Sequence, residues 1–138
     1  MIIGFACGVF DLFHAGHVLM LEECKNHCDF LIVALNKAEN FDPEINPEKK
    51  TPINSYYERK LILKSCRFVD EVIGYSSEDE LLEILKTKSI NIRFLGDDYK
   101  NKFITGNDLA IPIYYTNRSH GYSTSALIKK IILRYPLK

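Results

Sequence analysis

Two histidines near the end of the first apolar segment are the residues of this sequence best suited to chemistry. They stand three positions apart in GVFDLFHAGH, residues 8 to 17, with Gly16 between them. Side chains with this spacing on a helix are neighbours, so the rings of His14 and His17 can face one ligand. The start of a helix also offers free N–H groups and the positive end of its dipole, and Gly16 lets a ligand approach the backbone. The pattern predicts a phosphate site in which imidazole N–H groups stabilise developing charge.

Packing and metal binding are the alternative roles for this pair. A phosphate or acid–base role needs no further ligands, which favours it over a metal. A second candidate metal site, Cys24 and Cys28 with His27 between them, has no second ligand pair at zinc-like spacing elsewhere in the chain. The cysteines are therefore interpreted as reduced thiols in and around the core, and no residue is expected to be a metal ligand. The four cysteines are Cys7, Cys24, Cys28 and Cys66.

Length and composition favour one compact domain spanning residues 1–138. The chain has 138 residues, 46% of them hydrophobic, and a formal net charge of zero. A neutral chain does not predict sequence-independent binding to nucleic acid, which needs a basic face. The first residues lack the basic region of a signal peptide, and no apolar run approaches the roughly 20 residues of a membrane helix. We expect a soluble cytoplasmic protein.

The histidines are positioned by elements that alternate between strand and helix. Apolar runs at 2–7, 29–36, 69–75, 90–96 and 111–116 predict strands, and helical patterns begin at Ala15, Ser55, Ser76 and Ser123. The polar segment 37–54, with three prolines, is expected to be a long functional loop. We predict an α/β fold, a Rossmann-like doubly wound parallel sheet of about five strands with helices on both faces. Ligands bind such sheets at the carboxyl ends of the strands, where the loop with the histidines begins.

Four segments resemble the HxGH nucleotidyltransferase superfamily, and its cytidylyltransferases in particular. They are HAGH after the GVFD strand end, RFVDEV at 67–72, FLGDDY at 94–99 and RSHGYSTS at 118–125, in the family's order. The third is similar to short glycerol-3-phosphate cytidylyltransferases. The resemblance implies an enzyme that joins CTP to a phosphorylated small alcohol, sugar or related metabolite and releases pyrophosphate. It also implies Mg²⁺ accompanying the triphosphate, and a homodimer.

The resemblance also implies particular site residues. His14 and His17 would hold the α- and β-phosphates, and Arg118 would clamp the triphosphate. Lys50 matches the family's catalytic lysine, with Lys49 as a close competitor. Asp11 is expected to organise its loop rather than react. The implied nucleotide-binding set comprises Val9, Phe10, His14, Ala15, Gly16, His17, Lys50, Arg67, Asp97, Arg118, Ser119, Gly121, Tyr122, Ser123, Thr124 and Ser125.

Some of these roles have alternatives. Arg67 would lie at a nucleotide or a subunit contact. Asp97, with its neighbour Asp98, would contact ribose or metal-bound water, or only turn the chain. Ser123 would cap the last helix, and it would either also contribute to the phosphate site or act only as a cap.

Departures from the family pattern leave the acceptor open. Glu48 and Leu81 stand where the glycerol-3-phosphate enzymes are expected to carry acceptor-binding lysines, and His120 replaces the usual Glu. Ala15 replaces a tryptophan, and HAGH is common among heptose-phosphate adenylyltransferases. The alternatives are therefore an ATP-using sugar- or heptose-phosphate adenylyltransferase and a non-catalytic module that senses CTP or a CDP product.

Overall fold

A parallel sheet forms the centre of the molecule. The computed structural model describes residues 1–38 and 51–137. Within these ranges the sheet has five strands, β1 (Ile3–Gly8), β2 (Phe30–Asn36), β3 (Glu71–Tyr75), β4 (Ile92–Gly96) and β5 (Ile113–Thr116). Their order is β3-β2-β1-β4-β5, and every neighbouring pair is parallel. The predicted Rossmann-like α/β fold is confirmed.

In the described part of the chain, four α-helices connect or follow the strands. They are α1 (Ala15–Lys25), α2 (Tyr56–Lys64), α3 (Glu78–Thr87) and α4 (Thr124–Arg134). Each begins at a residue whose side chain accepts a hydrogen bond from the first turn: His14, Ser55, Ser77 and Ser123. In α2 the predicted capping box is present, because Glu58 also accepts from the Ser55 amide. These caps satisfy N–H groups that have no partner within the helix.

Apolar side chains cover both faces of the sheet. The five central residues of β2, Leu31 to Leu35, are buried, as expected of an interior parallel strand. Leu31, Val33 and Leu35 share a cluster with residues of α1 and α2, whereas Ile32 and Ala34 pack with residues of α3. All four cysteines carry free thiols.

The direction of the strand order reverses at β1. The chain builds β1, β2 and β3 towards one edge and then places β4 and β5 on the other side of β1. The loops that follow Gly8 in β1 and Gly96 in β4 therefore leave the sheet side by side, at the position where ligands bind to folds of this type. None of the helices described is long and apolar enough to cross a bilayer.

Candidate active site

His14 and His17 form the N-terminal cap of α1. The Nδ1 atom of His14 accepts a hydrogen bond from the Gly16 amide at 3.0 Å, and the Nδ1 atom of His17 accepts from the His14 amide at 3.0 Å. The two rings lie with their centroids 3.9 Å apart. The histidines thus make the reciprocal contacts that a serine and a glutamate make in an ordinary capping box.

The cap determines which ring nitrogen carries the proton. A neutral imidazole has one N–H, and Nδ1 is an acceptor in both rings, so the proton is on Nε2 in both. The Nε2 atom of His14 lies 3.3 Å from the Thr124 hydroxyl oxygen, and that hydroxyl lies within donating distance of the Asp11 carbonyl oxygen, at 3.4 Å. Each histidine therefore presents an N–H donor on the side of the ring away from the cap.

Burial keeps both rings neutral. Burial lowers the pKa of His17 to about 4; His14 and Arg118 act in the same direction, and Asp11 opposes them. The ring of His17 is stacked on Phe13, with centroids 5.3 Å apart, and lies against Phe10. The pKa of His14 is also lowered, mainly by burial. At neutral pH the pair therefore supplies hydrogen-bond donors without adding positive charge.

The loop between β1 and α1 is fastened to the segment before α2. The carboxylate of Asp11 accepts hydrogen bonds from the Ile53 and Asn54 amides at 2.8 and 2.9 Å. The Asn54 side chain in turn accepts from the Leu12 amide at 3.3 Å. Asp11 therefore organises its loop, as expected from the sequence.

Arg59 is a positioning residue that the sequence analysis missed. It is only 2% exposed, and its guanidinium donates to the carbonyl oxygens of Val9, Asn36, Lys37 and Asn54 at 2.6 to 3.1 Å. One side chain thus joins the loop after β1, the end of β2 and the start of α2. Its place within the polar stretch YYERK gave no signal of burial.

Gly96 allows Arg118 to approach the end of β4. A Cβ atom on Gly96 would lie 2.9 Å from Arg118 Nε and 2.5 Å from an Asp98 carboxylate oxygen. Arg118 Nε lies 3.7 Å from the same Asp98 oxygen, and both side chains remain exposed. Asp97 begins a short 3₁₀ turn in the same loop and is also exposed. The guanidinium is thus held near the strand end with its surface open to a ligand.

A second missed residue, Glu23 of α1, fixes the segment that carries Arg118. Its carboxylate accepts hydrogen bonds from the Tyr114 hydroxyl at 2.9 Å and from the Asn117 amide at 3.1 Å. The Asn117 side chain accepts from the Ser119 amide at 2.8 Å. The position of the arginine is therefore coupled to the helix that carries the histidines.

The start of α4 faces the histidine cap. Ser123 caps the helix by accepting from the Ala126 amide at 3.0 Å, and Thr124 contacts His14 as described above. Before it, the Tyr122 amide donates to His120 Nδ1 at 3.0 Å, and Gly121 adopts a left-handed conformation with φ of 77°. The predicted residues Ser119, Gly121, Tyr122 and Ser125 therefore form or adjoin the turn into this helix.

One cavity of about 770 Å³ connects these elements. It opens at the junction of β1 and β4, and Asp11, Gly96, Arg118 and Thr124 contribute to its lining. The structure thus places Arg118 and the partner of His14 in a shared pocket. The cavity also extends towards Leu81, one of the two positions where a lysine was expected.

The predicted residue Arg67 lies apart from this group. Lys50, like its competitor Lys49 and the departure Glu48, lies outside the described residues. Arg67 precedes β3 and therefore lies at the amino edge of the sheet, the opposite edge from the cavity, where its guanidinium stacks on Phe68 at 4.9 Å. Arg67 does not line the cavity, and its contact with nucleotide stays a prediction. Its alternative, a subunit contact, stays a prediction.

Dedicated metal ligands are absent from the part of the chain that the structure describes. No group of three His, Cys, Asp or Glu side chains there is arranged to hold an ion. Cys24 is buried, with its thiol directed to Met20, and the His27 ring packs on Tyr114.

The sheet order and the paired histidines at its reversal point define a nucleotidyltransferase-type α/β protein. Residues 5–130 match the model of the cytidylyltransferase-like family. The chain belongs to the cytidylyltransferase-like family, a family of nucleotidyltransferase enzymes.

Individual relatives agree with this assignment. The glycerol-3-phosphate cytidylyltransferase of Bacillus subtilis is 35% identical over 125 residues, which are 90% of this chain and 92% of that protein. The bifunctional protein HldE of Campylobacter jejuni subsp. doylei is 36% identical over 129 residues, 94% of this chain but only 27% of the length of that protein. A crystal structure of the lipopolysaccharide core biosynthesis protein from Thermoplasma volcanium superposes with a TM-score of 0.63 at 29% identity, covering 83% of this chain and 93% of that one.

Proposed function

We propose that this protein is a cytidylyltransferase that joins CTP to a phosphorylated small alcohol, sugar or related metabolite. The observation that carries the proposal is the pair of neutral histidines at the start of α1. His14 Nε2 contacts Thr124, which lines a cavity together with Arg118. This arrangement offers the N–H groups of the imidazoles and the positive charge of Arg118 to a triphosphate. The Bacillus subtilis relative and the family model support CTP as the nucleotide.

In the proposed reaction an oxygen of the acceptor's phosphate attacks the α-phosphorus of CTP. The bond between that phosphorus and the oxygen bridging to the β-phosphate breaks, and pyrophosphate leaves with the electron pair. The residues of the chain position the reactants and stabilise charge, and no covalent intermediate is required. His14 and His17 donate from Nε2 to the α- and β-phosphate oxygens, and Arg118 binds the triphosphate.

Lys50 would add a second cation from the segment before α2, and Mg²⁺ would neutralise the triphosphate. Mg²⁺ retains water and binds phosphate oxygens in sites of this kind, so it does not need a protein cage. The described residues are consistent with this mode of binding. The carboxylates of Asp97 and Asp98, after β4, are exposed, and in the described part of the chain no third side chain joins them to form a metal site.

An ATP-using adenylyltransferase is the second candidate. Ala15 within HAGH and the similarity to HldE proteins favour it. The chemistry at the α-phosphorus would be the same, and only the base site would differ. A sensor that binds CTP or a CDP product without turnover is the third candidate.

One experiment separates these functions. The purified protein is incubated with Mg²⁺ and either CTP or ATP, together with a panel of phosphorylated alcohols and sugars, and pyrophosphate release is followed. We expect release with CTP and at least one acceptor. Faster release with ATP for every acceptor would support the adenylyltransferase, and CTP binding without pyrophosphate from any acceptor would support the sensor.

The proposal includes the oligomeric state and the cellular location of the protein. We expect a cytoplasmic homodimer, with Arg67 at the contact between two copies, and no nucleic acid partner. Sedimentation of the wild-type protein and of Arg67→Ala tests the dimer, because loss of a contact residue should shift the equilibrium towards the monomer.

A further inference from the structure

From the ends of β1 and β4 the cavity continues along the α3 face of the sheet. Its polar lining there comes from the ends of several elements and includes Cys7, Asn36, Tyr75, Glu78, Arg93 and Thr105. The phosphate chemistry proposed above uses none of them. This part of the cavity is called the distal pocket.

Arg93 is the unusual member of the distal pocket. It belongs to β4, where its neighbours are apolar, and it is only 4% exposed. Its Nη1 donates to the Thr105 carbonyl oxygen, whereas its buried Nε has no acceptor among the described residues. A guanidinium that is removed from water without full hydrogen bonding is energetically costly.

The groups around Arg93 do not neutralise its charge. The ion pairs found within the described ranges do not include it. Cys7 contacts the guanidinium, but burial raises the pKa of this thiol, so it stays protonated. Burial also raises the pKa of Tyr75, whose hydroxyl stays neutral. Glu78 is exposed, and its carboxylate accepts from the Thr105 hydroxyl. The distal pocket therefore contains a buried cation in need of an anionic partner.

The strand register places Arg93 well below the reacting centre. Arg93 pairs with Phe5, three residues before the end of β1 at Gly8. At about 3.3 Å per residue, its Cα atom lies roughly 10 Å from the strand end that leads to the histidines. A small metabolite spans a distance of this size, so one molecule can place its phosphate near the histidines and its other end in the distal pocket.

We infer that Arg93 binds an oxyanion on the non-reacting end of the acceptor, so that the acceptor is a small phosphate ester carrying a carboxylate or a second phosphate. A guanidinium suits both groups, because its N–H donors match two oxygens of one anion. This inference rests on the proposed nucleotidyl transfer and adds the class of acceptor to it. Arg93 is then the residue that determines acceptor specificity.

Matched acceptor pairs test the inference. Glycerol 3-phosphate is compared with 3-phosphoglycerate, and erythritol 4-phosphate with 4-phosphoerythronate, so each pair differs by a terminal carboxylate. Glycerol 1,3-bisphosphate distinguishes a second phosphate from a carboxylate. For the wild type we expect kcat/KM for an acidic or bisphosphate member to exceed that of its hydroxyl partner by about tenfold or more, the discrimination of a charge-assisted hydrogen bond.

Variants connect the preference to the residue. Arg93→Gln should lower kcat/KM for the anionic acceptors by about 10- to 100-fold, leave that for the hydroxyl partners nearly unchanged, and leave the KM for the nucleotide unchanged. Arg93→Lys should retain part of the preference because it keeps the charge. Arg134→Gln, at the exposed end of α4, is the control for loss of an arginine and should behave as the wild type.

The outcomes are distinguishable. If the wild type has the same kcat/KM for the hydroxyl partners as for the acids and the bisphosphate, the inference is overturned. This result does not depend on whether Arg93→Gln folds. An anionic preference that survives in Arg93→Gln overturns it as well. If no acceptor releases pyrophosphate with either nucleotide, the proposed function itself has failed, and the inference fails with it.

Discussion

The substitution His17→Asn separates the structural role of this histidine from its chemical one. In asparagine, Oδ1 occupies the position of Nδ1, so it can still accept from the His14 amide, a bond of 3.0 Å in the wild type. The Nε2–H donor, however, is lost. A simple alanine variant would lose both groups, and its lower activity would not show which of them mattered.

The expected magnitudes follow from these two contacts. Retaining the cap avoids a loss of about 1 kcal/mol, so the midpoint of thermal unfolding should change by only a few degrees. Removing a donor that serves the transition state should lower kcat by about 100- to 1,000-fold, which corresponds to about 2.7–4 kcal/mol. His17→Gln should show the opposite combination, because its amide N–H can replace Nε2–H but nothing replaces Nδ1. It should be less stable by about 1 kcal/mol and retain part of the activity.

Pyrophosphate release at saturating nucleotide and acceptor gives kcat, and thermal unfolding gives stability. His27→Asn is the matched control, because His27 is exposed and packs on Tyr114 away from the cavity. The reasoning is refuted if His17→Asn keeps kcat within about threefold of the wild type. Removing a donor that stabilises charge in the transition state should lower kcat far more than this.

Three further predictions concern the pH dependence of stability, the buried Arg59 and the packing of Gly16 against the His14 ring. The folded pKa of His17, about 4, lies below the ordinary value of 6.5, so stability should be full above pH 6.5 and fall as the pH decreases towards 4.5. Solvent screening of the partly exposed ring reduces this loss to about 1–2 kcal/mol, and chemical denaturation should show a smaller loss in His17→Asn. Arg59→Leu should cost about 2–4 kcal/mol in the free energy of unfolding and lower kcat/KM, because it leaves buried carbonyl groups without donors; an unchanged urea midpoint would contradict this. Gly16→Ala should lower kcat/KM by about tenfold or more, because its Cβ would lie 2.8 Å from the His14 ring and 2.9 Å from Tyr122 Cβ and would displace the ring. Unchanged steady-state kinetics would show that activity does not depend on this position of the His14 ring.

The sequence was sufficient for the fold because its local signals agree with one another. The apolar run of β2 lies between a helix and a polar loop, and Ser55 with Glu58 marks the start of α2. The position of His14 and His17 after the first strand also places them at the reversal of the strand order. Periodicity, caps and the rules of parallel sheets therefore determine most of the architecture.

The contacts that hold the site were not predictable in the same way. Arg59 and Glu23 look like ordinary polar residues of amphipathic helices, and only the tertiary structure brings them to backbone groups far away in sequence. Arg93 did carry a signal, because a charge within a strand buried on both faces is rare and needs a partner. For Arg67 the motif was recognised from the sequence, whereas its position at the amino edge of the sheet emerged only from the structure.

The cap of α1 connects the fold to the chemistry. A proton on Nδ1 of either His14 or His17 would turn an acceptor into a donor facing a backbone N–H, and the cap bond would be lost. This contact disfavours the charged imidazole in addition to burial, so the same geometry that starts the helix also keeps the rings neutral. It follows that neither Nδ1 can act as a proton acceptor during turnover while α1 is capped. The histidines can therefore serve the phosphates only from Nε2, and positive charge for the triphosphate must come from arginine, lysine or the metal ion.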